Sequence, residues 1–270
     1  MPTDLTPARL KRQPDIQLPG GMCDIQDLEV VSPDMLLVSN NSKQCVQLLD
    51  CLKGDVVSEV QLQYDPYRMC LTDRNTAAVG MGGRKIQMIK VKDKTLTKGR
   101  ELTVSGTIKL YGLTSSRNSL VVAYNSQPWL EVRSMDGKVL HQFDKSGKFQ
   151  QFMSPYFMCT TPGGSMFISD RDTNTITKVD AQFNILQTFT SPLLQLPRGI
   201  TAVTEDEILV CSNKNSILLL QPSTNTVSTL LGEDDGIEWP SSLTYCPDQK
   251  KVYVASSYKA TIKVYQVSYI

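Results

Sequence analysis

His141 is the one histidine among 270 residues, and that bounds the chemistry at once. A Ser-His-Asp or Cys-His site would have to run through it, and no G-x-S-x-G elbow presents a serine. His141 sits in Lys138–Phe143, which reads as an outer strand, so it is expected as a half-exposed strand residue and not as a catalyst. The seven cysteines, at 23, 45, 51, 70, 159, 211 and 246, are odd in number and form no C-x-x-C pair. With one histidine they offer no zinc set of the usual ligand types, and several fall inside apolar runs, where a thiol behaves as a small buried hydrophobe. The chain therefore reads as a reduced, cytoplasmic protein without cofactor, metal or catalytic residues. Gly80-Met81-Gly82-Gly83-Arg84-Lys85 resembles a phosphate loop only superficially, because lysine stands where the dinucleotide motif needs glycine. Ser146-Gly147-Lys148-Phe149 lacks the earlier glycine and the following Ser or Thr of a P-loop. Both read as turns. Asp170, Asp172, Asn174, Asn213 and Asn215 carry oxygens suited to a hard cation, but Asp and Asn are also the preferred turn residues.

The elements that must position such residues form a repeat. Val46, Ile86, Leu130, Ile176, Ile217 and Ile262 each open an apolar strand, at intervals of about 40–46 residues. About 17–19 residues before each anchor lies a lead-in motif, counted by the same repeat logic. These are Ile25-Gln26-Asp27-Leu28, Pro66-Tyr67-Arg68-Met69, Leu110-Tyr111-Gly112-Leu113, Pro155-Tyr156-Phe157-Met158, Pro197-Arg198-Gly199-Ile200 and Pro240-Ser241-Ser242-Leu243. Between lead-in and anchor sits one more short apolar run, such as Leu36-Leu37-Val38 or Ile208-Leu209-Val210, flanked by turn residues and read as a strand buried on both faces. Six such units predict an all-β fold, a six-bladed β-propeller, with each blade burying its faces against its neighbours.

The first five units continue into a fourth, more polar strand, but the sixth ends after its third. Asp15-Ile16-Gln17-Leu18, ahead of the first unit, is expected to supply the missing strand and so remove an open sheet edge. The expected organisation is an N-terminal segment, 1–21, that carries the closing strand, and a single propeller domain, 22–270. Twenty-eight Lys and Arg balance twenty-seven Asp and Glu, so general attraction to nucleic acid or membrane is weak. Residues 1–22 have no apolar stretch of the signal-peptide kind, and no run approaches a membrane span.

In such a ring the lead-in loops and the second-to-third strand loops emerge on one rim. That rim gathers Tyr67, Arg68, Arg84, Tyr111, Tyr156, Arg171, Arg198, Lys214, Tyr258 and Lys259 as candidate partner-binding residues. Tyrosine and arginine combine contact area with polar reach, which favours a protein partner. Arg68, Tyr156 and Arg198 are expected nearest the centre of that interface, and the propeller itself is expected to be a monomer. The same arginines and tyrosines suit sequence-selective RNA binding, against which stand Asp170, Asp172 and the balanced charge. A metal-dependent hydrolase with its site in the channel is a third, minor reading. Lys90, Lys92, Lys94, Lys98 and Arg100 fall on the second unit's outer hairpin, where lysines guard a sheet edge.

Two units resemble a known family in side-chain detail. Pro197-Arg198-Gly199-Ile200 with Asn215-Ser216-Ile217, and Phe167-Ile168-Ser169-Asp170 with Asn174-Thr175-Ile176, are similar to the NHL repeat. Elsewhere the asparagine position holds Gln44, Arg84, Pro128 and Ala260. Leu230-Leu231-Gly232-Glu233-Asp234-Asp235-Gly236-Ile237, Ser169–Lys178 and Ile262-Lys263-Val264-Tyr265 further resemble the C-terminal region of molluscan and other invertebrate tripartite-motif (TRIM) proteins. That resemblance implies a substrate- or partner-recognition arm for ubiquitin ligation. It implies no ligase activity in these residues, because the zinc pairs of a RING and the heptads of a coiled coil are not among them.

Overall fold

The computed structural model describes residues 5, 10–21, 23–105, 110–124, 130–143 and 152–268. Pro128 and the 146–149 motif lie outside the described residues. The strands sort into six antiparallel sheets, each ordered as its chain runs. Blade 1 holds Ile25–Ser32, Met35–Asn40, Cys45–Asp50 and Asp55–Gln61; blade 2 holds Pro66–Asp73, Thr76–Met81, Lys85–Lys92 and Thr95–Thr103. Blade 3 comprises Leu110–Ser116, Ser119–Tyr124, Leu130–Ser134 and Val139–Phe143. Blade 4 comprises Pro155–Thr160, Met166–Asp170, Thr175–Val179 and Ile185–Thr190. Blade 5 runs through Ile200–Ala202, Ile208–Ser212, Ser216–Gln221 and Thr226–Leu231, and blade 6 through Pro240–Cys246, Lys251–Ser256 and Thr261–Val267. The fold is the six-bladed β-propeller that the repeat predicts.

All six anchors are 0% exposed, because a middle strand presses side chains against a neighbouring blade on both faces. The core accordingly divides into six apolar clusters, one in each gap between consecutive blades, and the ring closes through the cluster shared by blades 6 and 1. Outer strands alternate exposed and covered residues, as in Asp55–Gln61. Tight hairpins at Asp93-Lys94 and Arg117-Asn118 hold both residues at positive φ, the geometry whose twist matches the strands it joins.

The N-terminal segment completes blade 6. Ile16 and Gln17 pair with Ile262 and Thr261, as the missing strand predicts. The closure is longer than Asp15–Leu18, because Leu10–Arg12 also pairs with Val267–Tyr265. Ile16 and Leu18 sink into the cluster between blades 6 and 1, and Leu5 into the one between blades 5 and 6. The Leu5 amide donates to Glu207 Oε1 at 2.7 Å, so the segment straps three blades together.

Of the edge-guarding cations, Lys94 pairs with Asp50 of blade 1 at 3.2 Å. The phosphate-loop lookalike is a strand end and turn: a Cβ on Gly80 would meet Leu110 Cδ2 at 2.7 Å, and Gly83 turns at φ +68° beneath Tyr64. All seven cysteines are free thiols, and no helix among the described residues is long and apolar enough to cross a membrane.

Candidate functional site at the channel mouth

A repeated bulge builds the site. The innermost strand slips register between Ile25 and Asp27, Pro66 and Arg68, Leu110 and Gly112, Pro155 and Phe157, and Pro240 and Ser242. A bulge puts one extra residue on its strand and re-aims side chains. Here the extra residues are Gln26, Tyr67, Tyr111, Tyr156 and Ser241, with Arg198 at the matching position of blade 5. They ring the mouth of the central channel.

The next residue along each strand seals the throat. Asp27 accepts hydrogen bonds from the backbone N–H of Leu28 (3.0 Å) and Met69 (2.8 Å) and from the Ser242 hydroxyl (2.7 Å), tying blades 6, 1 and 2. Blade 5 must hold glycine, since a Cβ on Gly199 would stand 2.7 Å from Ser242 Cα. The lead-in motif predicts Arg68 on the open rim at the centre of an interface. It is instead 4% exposed, because its guanidinium turns inward. Nε donates to the Tyr111 carbonyl and Nη1 to the carbonyls of Gln26 and Tyr67, each at 3.0 Å. Its Cζ lies 3.5 Å from the Phe157 ring centroid, a cation–π contact across the channel worth about 0.5–2 kcal/mol. Arg68 is the stopper of the throat.

Beneath it lies a cavity of about 200 Å³ lined by Glu29, Cys70, Thr114, Cys159, Thr201 and Thr244, among others. Burial, and then Asp27, push the Glu29 carboxyl well above the ordinary range. Burial, and then Glu29, likewise push up the Cys70 and Cys159 thiols, so both stay protonated and poorly nucleophilic.

Above the stopper, charge of one sign gathers. Arg68 Cζ lies 4.9 Å and Arg171 Cζ 5.7 Å from the Tyr156 ring centroid, and Tyr111 packs on Tyr156 at 5.2 Å. Burial favours the neutral Tyr156 phenol, yet Arg68, Arg198 and Arg171 outweigh it and hold the phenol below its ordinary value. Arg198 Nη1 donates to Ser257 Oγ at 3.1 Å. The Nε atoms of Arg171 and Arg198 are buried with no hydrogen-bond partner. Among the described residues, none of the three arginines forms an ion pair with a carboxylate.

The other candidates spread outward. Tyr67 is half-buried beside Arg68, and Arg84 and Lys214 are exposed away from the mouth. Lys259 is paired with Glu238, and Tyr258 stands 73% exposed. Sequence reasoning missed Asp27, Phe157 and Ser242 in the throat, and Trp239 and Met153, both 57% exposed on this rim. The third residue of each lead-in motif was the available signal for the throat.

The turn reading accounts for Asp170, Asn174 and Asn215 among the candidate cation ligands. Asp170 is fully buried and accepts the backbone N–H groups of Met153, Ser154, Asp172 and Thr173. Asn174 and Asn215, both at positive φ, accept the N–H of Leu196 and Trp239 and so hold the next blade's lead-in loop. In blade 6 the left-handed residue is Tyr258, not the aligned Ala260. No group of three or more His, Cys, Asp or Glu side chains suited to a metal occurs among the described residues. His141 is exposed on the outer strand of blade 3.

Throat and ring together define a six-bladed propeller whose distinctive chemistry sits at one mouth of its channel. Solved structures of similar fold include virginiamycin B lyase from Staphylococcus aureus, 13% identical, with a TM-score of 0.68 over 96% of this chain and 100% of that one. The WD40 β-propeller domain of Doa1 is 12% identical at a TM-score of 0.66, over 96% and 97% of the two chains. A protein of unknown function from Bacteroides thetaiotaomicron is 12% identical at 0.76, over 96% and 76%. At such identities the likeness shows the fold alone. No family profile matches the chain, and no curated protein matches its sequence.

Proposed function

We propose that this chain is a protein-interaction platform that docks a partner on the rim around the channel mouth. The observation that carries the reading is the company this rim keeps. Arg171, Arg198 and Tyr156 lie at its centre, with Met153 beside Arg171 and Trp239 and Tyr258 beside Ser257, the residue that holds Arg198. Aromatic and arginine side chains on a rigid frame lose little entropy on binding and dominate interface energy. The other large exposed apolar side chains, Leu52, Val57, Val139, Leu140 and Leu186, are scattered over outer strands and the opposite rim. A partner-recognition arm of TRIM type is the specific form of this reading, supported by the NHL-like spacing of blades 4 and 5. We take the chain to be non-catalytic, although a lyase has a similar fold, because its only histidine lies on the outer strand of blade 3.

The test is affinity capture with Trp239→Ala/Tyr258→Ala against Leu52→Ala/Leu186→Ala. Loss of the same captured protein in the first variant alone supports the reading. Equal capture by both variants would remove this rim from consideration.

A further inference from the structure

We infer that the channel mouth is an oxyanion-binding site for a peptide that presents one phosphate or carboxylate group to Arg171, Arg198 and Tyr156, an inference that rests on the protein-platform reading. Three guanidinium groups gather around Tyr156 here, and the buried carboxylates Asp27 and Asp170 are already engaged, which leaves the exposed Asp172 at the edge of the cluster. Asp27 spends both oxygens on Leu28, Met69 and Ser242. Asp170 spends its own on four backbone N–H groups. Arg68 has committed Nε and Nη1 to carbonyls. Arg171 and Arg198 instead keep Nε donors that are out of water and unbonded, the costly condition for a polar group. An oxyanion at this cluster accepts guanidinium hydrogen bonds and quenches the repulsion among like charges, and charge-assisted bonds of this kind are the strong ones. The Tyr156 phenol, already in a side-chain hydrogen bond with Arg68, lies among these guanidinium groups.

The surroundings select a peptide carrying a single anionic group over a nucleic acid strand. Glu233, Asp234 and Asp235 lie exposed beside the blade 6 lead-in, and Glu238 follows them on the same rim. A continuous polyanion would have to cross this acidic arc, whereas one anionic group entering from above does not. Met153 on one side and Trp239 with Tyr258 on the other offer apolar contact to the residues flanking the anion.

Fluorescence-anisotropy titration of three degenerate peptide libraries, centred on phosphoserine, glutamate or serine, tests the inference. The phosphoserine or the glutamate library should bind the native chain at least tenfold more tightly than the serine library. That preference should disappear in Arg171→Ala/Arg198→Ala with the melting temperature unchanged. The ranking of the two anionic libraries tells phosphate from carboxylate. Arg171→Lys/Arg198→Lys keeps the charge and loses the planar fork, so it should bind more weakly than the native chain even where the alanine pair folds poorly. Equal binding of all three libraries, or anionic binding indifferent to both double variants, overturns the inference. Tighter, arginine-dependent capture of a random single-stranded RNA pool overturns it in favour of nucleic acid. Should the oxyanion preference fail while Trp239→Ala/Tyr258→Ala still abolishes partner capture, the platform reading stands without it.

Discussion

Arg133 in blade 3 and Arg198 at the channel mouth are both largely withdrawn from water, and they have been treated in opposite ways. Arg133 has every donor in use. Nε and Nη2 reach Glu131 at 2.8 Å, Nη1 reaches the carbonyls of Thr103 and Gly137, and Nη2 also reaches the Ser105 hydroxyl. Glu131 in turn accepts from Tyr124 at 2.7 Å and Gln142 at 2.6 Å. Burial alone would raise the Glu131 carboxyl, but these hydrogen bonds outweigh it and hold the group below its ordinary value. Arg198 has one side-chain partner and a buried donor left over. A saturated charge is part of the scaffold, whereas an unsaturated one at a channel mouth has the makings of a receptor.

The comparison breaks most forcefully if the ring is opened. Deleting residues 1–18 removes the burial of Leu5, Ile16 and Leu18, for a loss of about 5 kcal/mol at the usual value per apolar side chain. Hydrogen exchange should then rise first in blade 6 and around Arg198, which Ser257 holds, and last around Glu131; an unchanged melting temperature would refute the strap. Next in size, Glu131→Ala strands a buried guanidinium and should cost about 3–5 kcal/mol in urea unfolding. Because its folded pKa is depressed, Glu131 contributes stability above the ordinary carboxylate range and loses it as pH falls through the folded value. Glu131→Gln should therefore flatten the acid limb of the stability curve. By contrast, Arg171→Ala should change stability by less than about 1 kcal/mol, since no satisfied network is lost. A cost as large as that of Glu131→Ala would make the mouth another structural cluster.

The smallest effect is spectroscopic. Tyr156 should form phenolate below the ordinary tyrosine range, and Tyr156→Phe should delete that earliest component of an alkaline absorbance titration. Tyr265 ionises late, pushed up to about 12 chiefly by burial. The raised group keeps its stabilising contribution below the ordinary value of 10 and loses it as pH climbs through 12.

The architecture was legible because it depends on periodicity. Each anchor is a buried middle-strand residue, and no local accident moves six of them together. Even Ile25-Gln26-Asp27-Leu28, the weakest lead-in motif, folds with the same bulge as the others. The site was legible only in outline. Arg68 and Arg198 occupy adjacent positions of the same motif, and a one-residue offset across a bulge decides which is a buried stopper and which keeps an unbonded donor. Nothing in residue type marks that offset. Met153 and Trp239 escaped notice because an apolar side chain beside a strand reads as core until its neighbours are placed.

The strap also imposes an order on the making of the molecule. Leu10–Arg12 and Ile16–Gln17 are made before any of the six blades, yet among the described residues their sheet partner is Thr261–Val267, the third strand of blade 6. During translation an apolar segment must therefore wait unpaired while five blades stack behind it, and the ring locks only after the third strand of blade 6 has emerged. Contacts spanning such a separation are slow to form. Blades 1 to 5 can assemble as a growing array in the meantime, with blade 1 presenting an uncovered apolar face until blade 6 arrives. The same segment that protects the finished ring is thus exposed to aggregation while the blades are being made.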